Sequence, residues 1–194
     1  MKKLLFTIAA VIAVFYWLNQ APVEVPPGQV APGLPVQRDL AAASPITHNG
    51  YTLTPLAEFE IEARVLASER YRIGREAELS PVDLALGWGP MSDSSVLEHV
   101  DIRQSGRFYY WRVEQFPIPR REIETHSANM HMIPADEQVA DVLLDVRPGQ
   151  VVDIEGYLVR ADASDGWRWI SSLTRNDTGN GACELIWVER ASLR

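Results

Sequence analysis

The chain has 194 residues, 46% of them apolar and 23% charged, the make-up of an ordinary globular protein rather than a disordered, collagenous or disulfide-stapled one. Its 18 basic residues include Lys2 and Lys3, the only lysines, so everything behind them sets 16 arginines against 26 acids, a balance of −10. That balance argues against general binding to nucleic acid or to an anionic membrane surface, and a single cysteine rules out an internal disulfide.

Behind the two lysines, Leu4 to Leu18 is an uncharged apolar run. A basic flank before such a run marks a membrane-targeting segment, whose lysines stay in the cytoplasm while the rest is carried across. Signal peptidase needs small residues at the last and third-last positions before its cut. A cut after Ala21 would put Asn19 in that third-last place, and Tyr16-Trp17-Leu18 reads as an interfacial aromatic anchor. Residues 1–20 are therefore expected to stay as a signal anchor, a single pass through the cytoplasmic (inner) membrane with the C-terminal part outside, in the periplasm. Lipid attachment is excluded, because the one cysteine is Cys183. Residues 21–46, with Pro22, Pro26, Pro27, Pro32, Pro35 and Pro45, read as an extended proline-rich linker. The alternative drapes this segment over the domain, with Leu34, Val36 and Leu40 in surface grooves.

The remaining 47–194 are read as one extracytoplasmic domain. His48-Asn-Gly-Tyr51 is a turn signal, and from Ala57 to Val65 the residues Phe59, Ile61, Ala63 and Val65 alternate with Glu58, Glu60, Glu62 and Arg64, the period of a strand with one wet face. Ser80-Pro81-Val82-Asp83 carries the chemistry of a helix start and Gly87 that of a stop, which predicts a short helix between them. Ser92-Asp-Ser-Ser95 can cap a second, over Val96 to Val100. Arg107 to Val113 is rich in β-favouring aromatics and reads as a strand, whereas Arg120 to Ile133 carries no decisive period. Asp136 opens an amphipathic helix with Val139, Val142, Leu143 and Val146 on one face, closed by Pro148-Gly149. Gln150 to Arg160, Trp167 to Leu173 and Cys183 to Arg190 then read as a β-meander. The fold class expected is α+β: a small bent antiparallel sheet or OB-like β-barrel with short helices, behind an N-terminal transmembrane anchor.

The densest chemical stretch is Glu122-Ile-Glu-Thr-His-Ser-Ala-Asn-Met-His131. His126 and His131 are the candidate metal ligands and, with Cys183, the candidate catalytic residues. Five residues is the wrong step for both imidazoles to share one side of a strand or helix, so only a turn between them would bring them together. Cys183, Leu185 and Trp187 share a strand face, which predicts a buried, inert thiol. No nucleophile elbow, zinc-protease motif, phosphate loop or dinucleotide fingerprint occurs, and no cofactor is called for. Aromatic side chains beside guanidinium groups suit recognition of glycans or peptides. On that ground Trp88, Arg107, Trp111 and Arg168 are the candidate binding residues, with Trp88, between two glycines, expected to be exposed.

Asp83-Leu-Ala-Leu-Gly-Trp-Gly-Pro-Met-Ser-Asp93 and His126-Ser-Ala-Asn-Met-His-Met-Ile-Pro-Ala135 resemble stretches of a family of uncharacterised bacterial exported or membrane-anchored proteins, and the resemblance runs on through Gly181-Ala-Cys-Glu184. It implies no catalytic role for any residue. The expectation is a non-enzymatic envelope module, tethered to the cytoplasmic membrane through residues 4–18 and binding a protein or a cell-wall component. The alternative is an envelope hydrolase, metal-dependent through His126 and His131 or thiol-dependent through Cys183.

Overall fold

A computed structural model describes residues 21–175 and 182–194; the expected anchor, 1–20, lies outside the described residues. Ten strands and four short α-helices make up those residues, an α+β fold that is mostly sheet. The longest strand, β3 (Tyr51–Arg70), follows β2 (Ile46–His48) through a tight turn in which Asn49 and Gly50 both have positive φ, as the His48-Asn-Gly-Tyr51 signal requires. The alternation read in β3 holds for Phe59, Ile61, Ala63 and Val65, which are buried, but not for Arg64, expected on the wet face and instead buried with its guanidinium bonded to Ser92 O and Ser94 Oγ.

The main sheet curls round on itself. Strand β3 pairs with β4 (Val82–Gly87), β4 with β7 (Ser127–Pro134), β7 with β10 (Glu184–Leu193), β10 with β8 (Val151–Asp162), and β8 again with β3. All of these pairings are antiparallel except β7 with β10, which is parallel. The circuit makes a barrel-like wall with the main core inside it, including Phe59, Val65, Leu84, Leu86, Met130, Met132, Ile154, Leu158 and Ile186. Helix α4 (Glu137–Leu144) links β7 to β8 and sends Val139 and Leu143 into the same core; the Asp136 carboxylate accepts the Val139 amide at 2.9 Å, the cap expected there. Strand β9 (Arg168–Ile170) pairs with β8 on the outside. The last third is therefore not a meander, because β10 inserts between β7 and β8 to bury Ile186 and Val188.

Residues Val82–Gly87 correct the expected helix. They form β4, every residue buried, while the neighbouring helix α1 (Arg75–Leu79) precedes the Ser-Pro signal. A strand covered on both faces loses the alternation that identifies strands, and only the cap chemistry was left to read. The undecided stretch resolves into helix α3 (Arg120–Thr125) running straight into β7. Helix α2 (Ser94–Leu97) is capped by Asp93, whose carboxylate accepts the Ser95 amide at 2.9 Å.

The proline-rich segment is not held off as a free stalk. Strand β1 (Val36–Asp39) pairs antiparallel with β3, the Val23 amide donates to Pro148 O at 2.8 Å, and the Gly28 amide donates to Asp93 Oδ1 at 2.9 Å. Ala31 is fully buried. Proline forbids helix but not docking, and the amides between the prolines find partners on the barrel. Leu34 and Val36 remain exposed, so they are not the groove fillers of the draped alternative. No helix among the described residues is long and apolar enough to cross a membrane.

Candidate functional site

Between β4 and β7 the chain inserts a hairpin, β5 (Asp101–Ser105) and β6 (Phe108–Arg112), which forms a separate two-stranded sheet. It lies against the outer wall of the barrel. Alternation in β4 and β7 sends Leu84, Leu86, Met130 and Met132 inward, and therefore turns Asp83, Ser127, Asn129 and His131 outward, beneath the hairpin.

At the hairpin tip these groups are sealed. Asp83 is fully buried and stands opposite His131 in the β4–β7 register. Its Oδ1 accepts from Arg107 Nη1 at 2.7 Å and lies 2.9 Å from His131 Nδ1, a charge contact not aligned as a hydrogen bond; Oδ2 has no hydrogen-bond partner. Arg107 also donates to Ser80 O at 3.0 Å, and its guanidinium sits over the Tyr71 ring at 3.7 Å. Trp169 packs against His131 with ring centroids 4.7 Å apart. Asn129 Nδ2 donates to Arg107 O at 3.0 Å, and Gln104 Nε2 to Asn129 Oδ1 at 2.6 Å. Arg107 is thus the partly buried latch of the hairpin rather than a fork offered to a ligand.

Towards its base the hairpin parts from β7 and leaves a cleft of about 620 Å³. One wall is β6, from Phe108 to Val113, extended by Phe116; the floor is Ser127, Ala128 and Asn129 of β7 with Cys183 before β10; Arg120, Glu124 and Arg175 close the ends. Trp111 packs edge-on against Phe116 at 6.2 Å, with the Arg120 guanidinium 5.9 Å from its ring. Deeper in, Tyr109 Oη lies 2.6 Å from Ser127 Oγ. Ser127 already gives its proton to Ile123 O at 2.7 Å, so the phenol is the donor, and burial pushes its pKa up to about 12. Arg175 Nε and Glu184 Oε1 form an ion pair at 2.8 Å beside the cleft, with Glu184 almost wholly buried.

No protein-family model, curated protein or solved structure matches this chain. The site is therefore read from its own chemistry.

Among the sequence candidates, only Trp111 and Cys183 line the cleft. Trp88 is 1% exposed, inside the main core, which corrects the expectation of an exposed ring. Its flanking glycines answer close packing instead: a Cβ on Gly87 would stand 2.3 Å from Met91 O, and one on Gly89 2.9 Å from His126 Cδ2. Arg168 is exposed and paired with Asp162 at 2.6 Å. His126 and His131 go to different partners: His126 Nδ1 lies 3.0 Å from Glu122 Oε2 beside Gly89, His131 against Asp83. The described residues contain no group of three or more His, Cys, Asp or Glu side chains placed to hold a metal ion. Cys183 is only partly buried, which corrects the expectation of a buried thiol; its Sγ is 4.0 Å from Arg107 O and from Asn129 Nδ2. Tyr109 and Phe116 were not singled out in the sequence, where only the aromatic density of β6 gave a signal, and Ser127 and Asn129 lay in the dense Glu122–His131 stretch without being read as a cleft floor.

Proposed function

We propose that the chain is a membrane-tethered, extracytoplasmic binding module of the bacterial envelope, non-enzymatic, built on an OB-like barrel and related to the exported family its motifs resemble. The barrel assignment is supported by the strand circuit, in which the third and fifth strands run parallel and a helix links the third to the fourth. The functional reading rests on one observation: the cleft beside β6 is open and aromatic-walled, with a polar floor of Ser127 and Asn129, the make-up of a recognition site. The richest polar constellation, around the fully buried Asp83, is engaged as a structural latch by Arg107. The tether of residues 1–20 makes the module peripheral to the periplasmic face of the inner membrane. Because Val23 is bonded to Pro148, only four residues separate Leu18 from the barrel, about 14 Å at full extension, so the module sits close to the headgroups.

The test has two arms. A reporter enzyme fused after Arg194 should be active outside the cytoplasm and silent within it. Hydrogen exchange of the full chain in detergent, with and without the solubilised protein and cell-wall fractions of a bacterial envelope, should show protection centred on residues 108–116 and 127–129. Protection confined to other surfaces, or none with either fraction, overturns the reading.

A further inference from the structure

The β6 wall of the cleft is unusual in that six consecutive residues, Phe108 to Val113, all line it. Side chains of a strand alternate between its faces, so consecutive residues can border one cavity only if the cavity lies along the strand's edge. The hydrogen-bond pattern says which groups meet it. Gly106 and Arg107, both with positive φ, form a two-residue turn, and the closing pair of such a hairpin, Ser105 and Phe108, exchanges ladder bonds. The alternation then directs Phe108, Tyr110 and Arg112 to β5 and turns the main-chain N–H and C=O groups of Tyr109 and Trp111 outward. Strand β6 pairs with β5 alone, and among the described residues those outward groups make no hydrogen bond.

We propose that β6 takes up an extended segment of a partner polypeptide as a third strand of the hairpin sheet, seated in the cleft; the proposal rests on the binding-module reading and names its ligand class. An open edge with unfilled donors and acceptors is a template for strand addition, and the main-chain bonds supply affinity independent of sequence. The size fits. A strand residue occupies about 160 Å³ at normal rise, strand spacing and sheet thickness, so 620 Å³ holds about four residues. The charge fits as well. Arg112 is exposed at the cleft and in no ion pair among the described residues, and its ladder neighbour Asp101 is taken by Arg103 at 3.0 Å. In a chain whose balance behind the two lysines is −10, an unpaired guanidinium at the binding edge selects a segment with an acidic side chain on the solvent face. On the other face the segment's side chains meet Tyr109, Trp111 and the Ser127–Asn129 floor, which suits small or apolar residues.

The experiment pans the full chain, held in detergent micelles, against a displayed library of randomised ten-residue peptides, with lysozyme-digested peptidoglycan tested beside it. The expected result is enriched peptides carrying an acid at a fixed position, slowed exchange of the Tyr109 and Trp111 amides on binding, and no change at Phe108, Tyr110 and Arg112. Methylating alternate peptide nitrogens should weaken binding about tenfold or more in one register and leave the other nearly unchanged. Arg112→Glu should reverse the preference from acidic to basic peptides. Peptides that bind but tolerate methylation at every position overturn strand addition and leave the binding module standing, as does protection of the cleft by peptidoglycan fragments alone. A concentration-dependent dimer joined at β6 replaces the partner with a second copy and overturns the proposal. No peptide and no peptidoglycan binding overturns both readings together.

Discussion

The two ends of the β5–β6 hairpin rest on the same strand, β7, by opposite means. At the tip, Arg107 drives a cation onto the buried Asp83 carboxylate beside His131, while Asn129 donates to Arg107 O and accepts from Gln104. At the base the contact is looser: aromatic rings stand over a polar floor, and a strand edge is left open. The tip holds more ionisable chemistry and is the less accessible of the two. What distinguishes a site from a brace here is closure, not the density of reactive side chains.

The largest effect that could break this comparison is at Asp83. Asp83→Ala leaves the Arg107 guanidinium packed with no counter-charge, and should destabilise the domain by about 3–5 kcal/mol in urea denaturation. Asp83→Asn keeps the shape and should cost less. A loss below about 1 kcal/mol for the alanine variant would show that the tip is not a brace at all.

A second large effect belongs to the core rather than the hairpin. Trp88→Ala empties the space of a fully buried indole and should cost about 3–5 kcal/mol. Loss of binding in that variant would therefore report unfolding, whereas Trp111→Ala should weaken binding by the cleft at a smaller cost to the fold. A Trp88 variant with wild-type stability would return the ring to the list of surface residues.

How far such roles could be read in advance depends on how local their causes are. The β3 alternation, the Asn49-Gly50 turn and the Asp136 cap are set by neighbours a few residues away, and each was legible. The Asp83 latch joins residues 24 apart in sequence to Arg107 across an inserted hairpin, and β4 itself was hidden because burial on both faces erases its period. The course of segment 21–46 stayed between two readings for a similar reason: prolines announce extended backbone but not the surface it lies on. An open edge is harder still, since it is defined by the strand that is missing beside β6.

Tyr109 sits between the two ends and sharpens the comparison through pH. Its folded pKa, about 12, lies above the ordinary value of 10.0, so the native state holds the phenolic proton more tightly than the unfolded chain. That contribution is whole below pH 10 and is lost as the pH rises through 10 towards 12. Alkaline denaturation should therefore steepen in this window, and ultraviolet titration should show Tyr109 ionising late, alongside Tyr51 and Tyr71, which burial also raises. Tyr109→Phe removes its share of both signatures, leaving those of Tyr51 and Tyr71, and one buried hydrogen bond, at about 1 kcal/mol. A tyrosine titration with every group near 10 would mean that the phenol is in contact with water, and that the cleft reaches past Ser127.

The smallest expected effect lies outside both regions and serves as their reference. Arg168 is the sequence-derived binding candidate that faces solvent, 62% exposed and bonded to Asp162, which Arg160 also engages at 2.6 Å. Those two arginines, Arg160 first, hold the Asp162 carboxyl below the usual carboxylate range. Arg168→Ala leaves Arg160 in place, so stability should change by less than about 0.5 kcal/mol and binding at the cleft not at all. A clear loss of peptide binding in this variant, with the fold intact, would move recognition from the β6 edge to the β8–β9 face. The guanidinium-beside-indole pattern of Arg168 between Trp167 and Trp169 would then have been the better guide than the open edge.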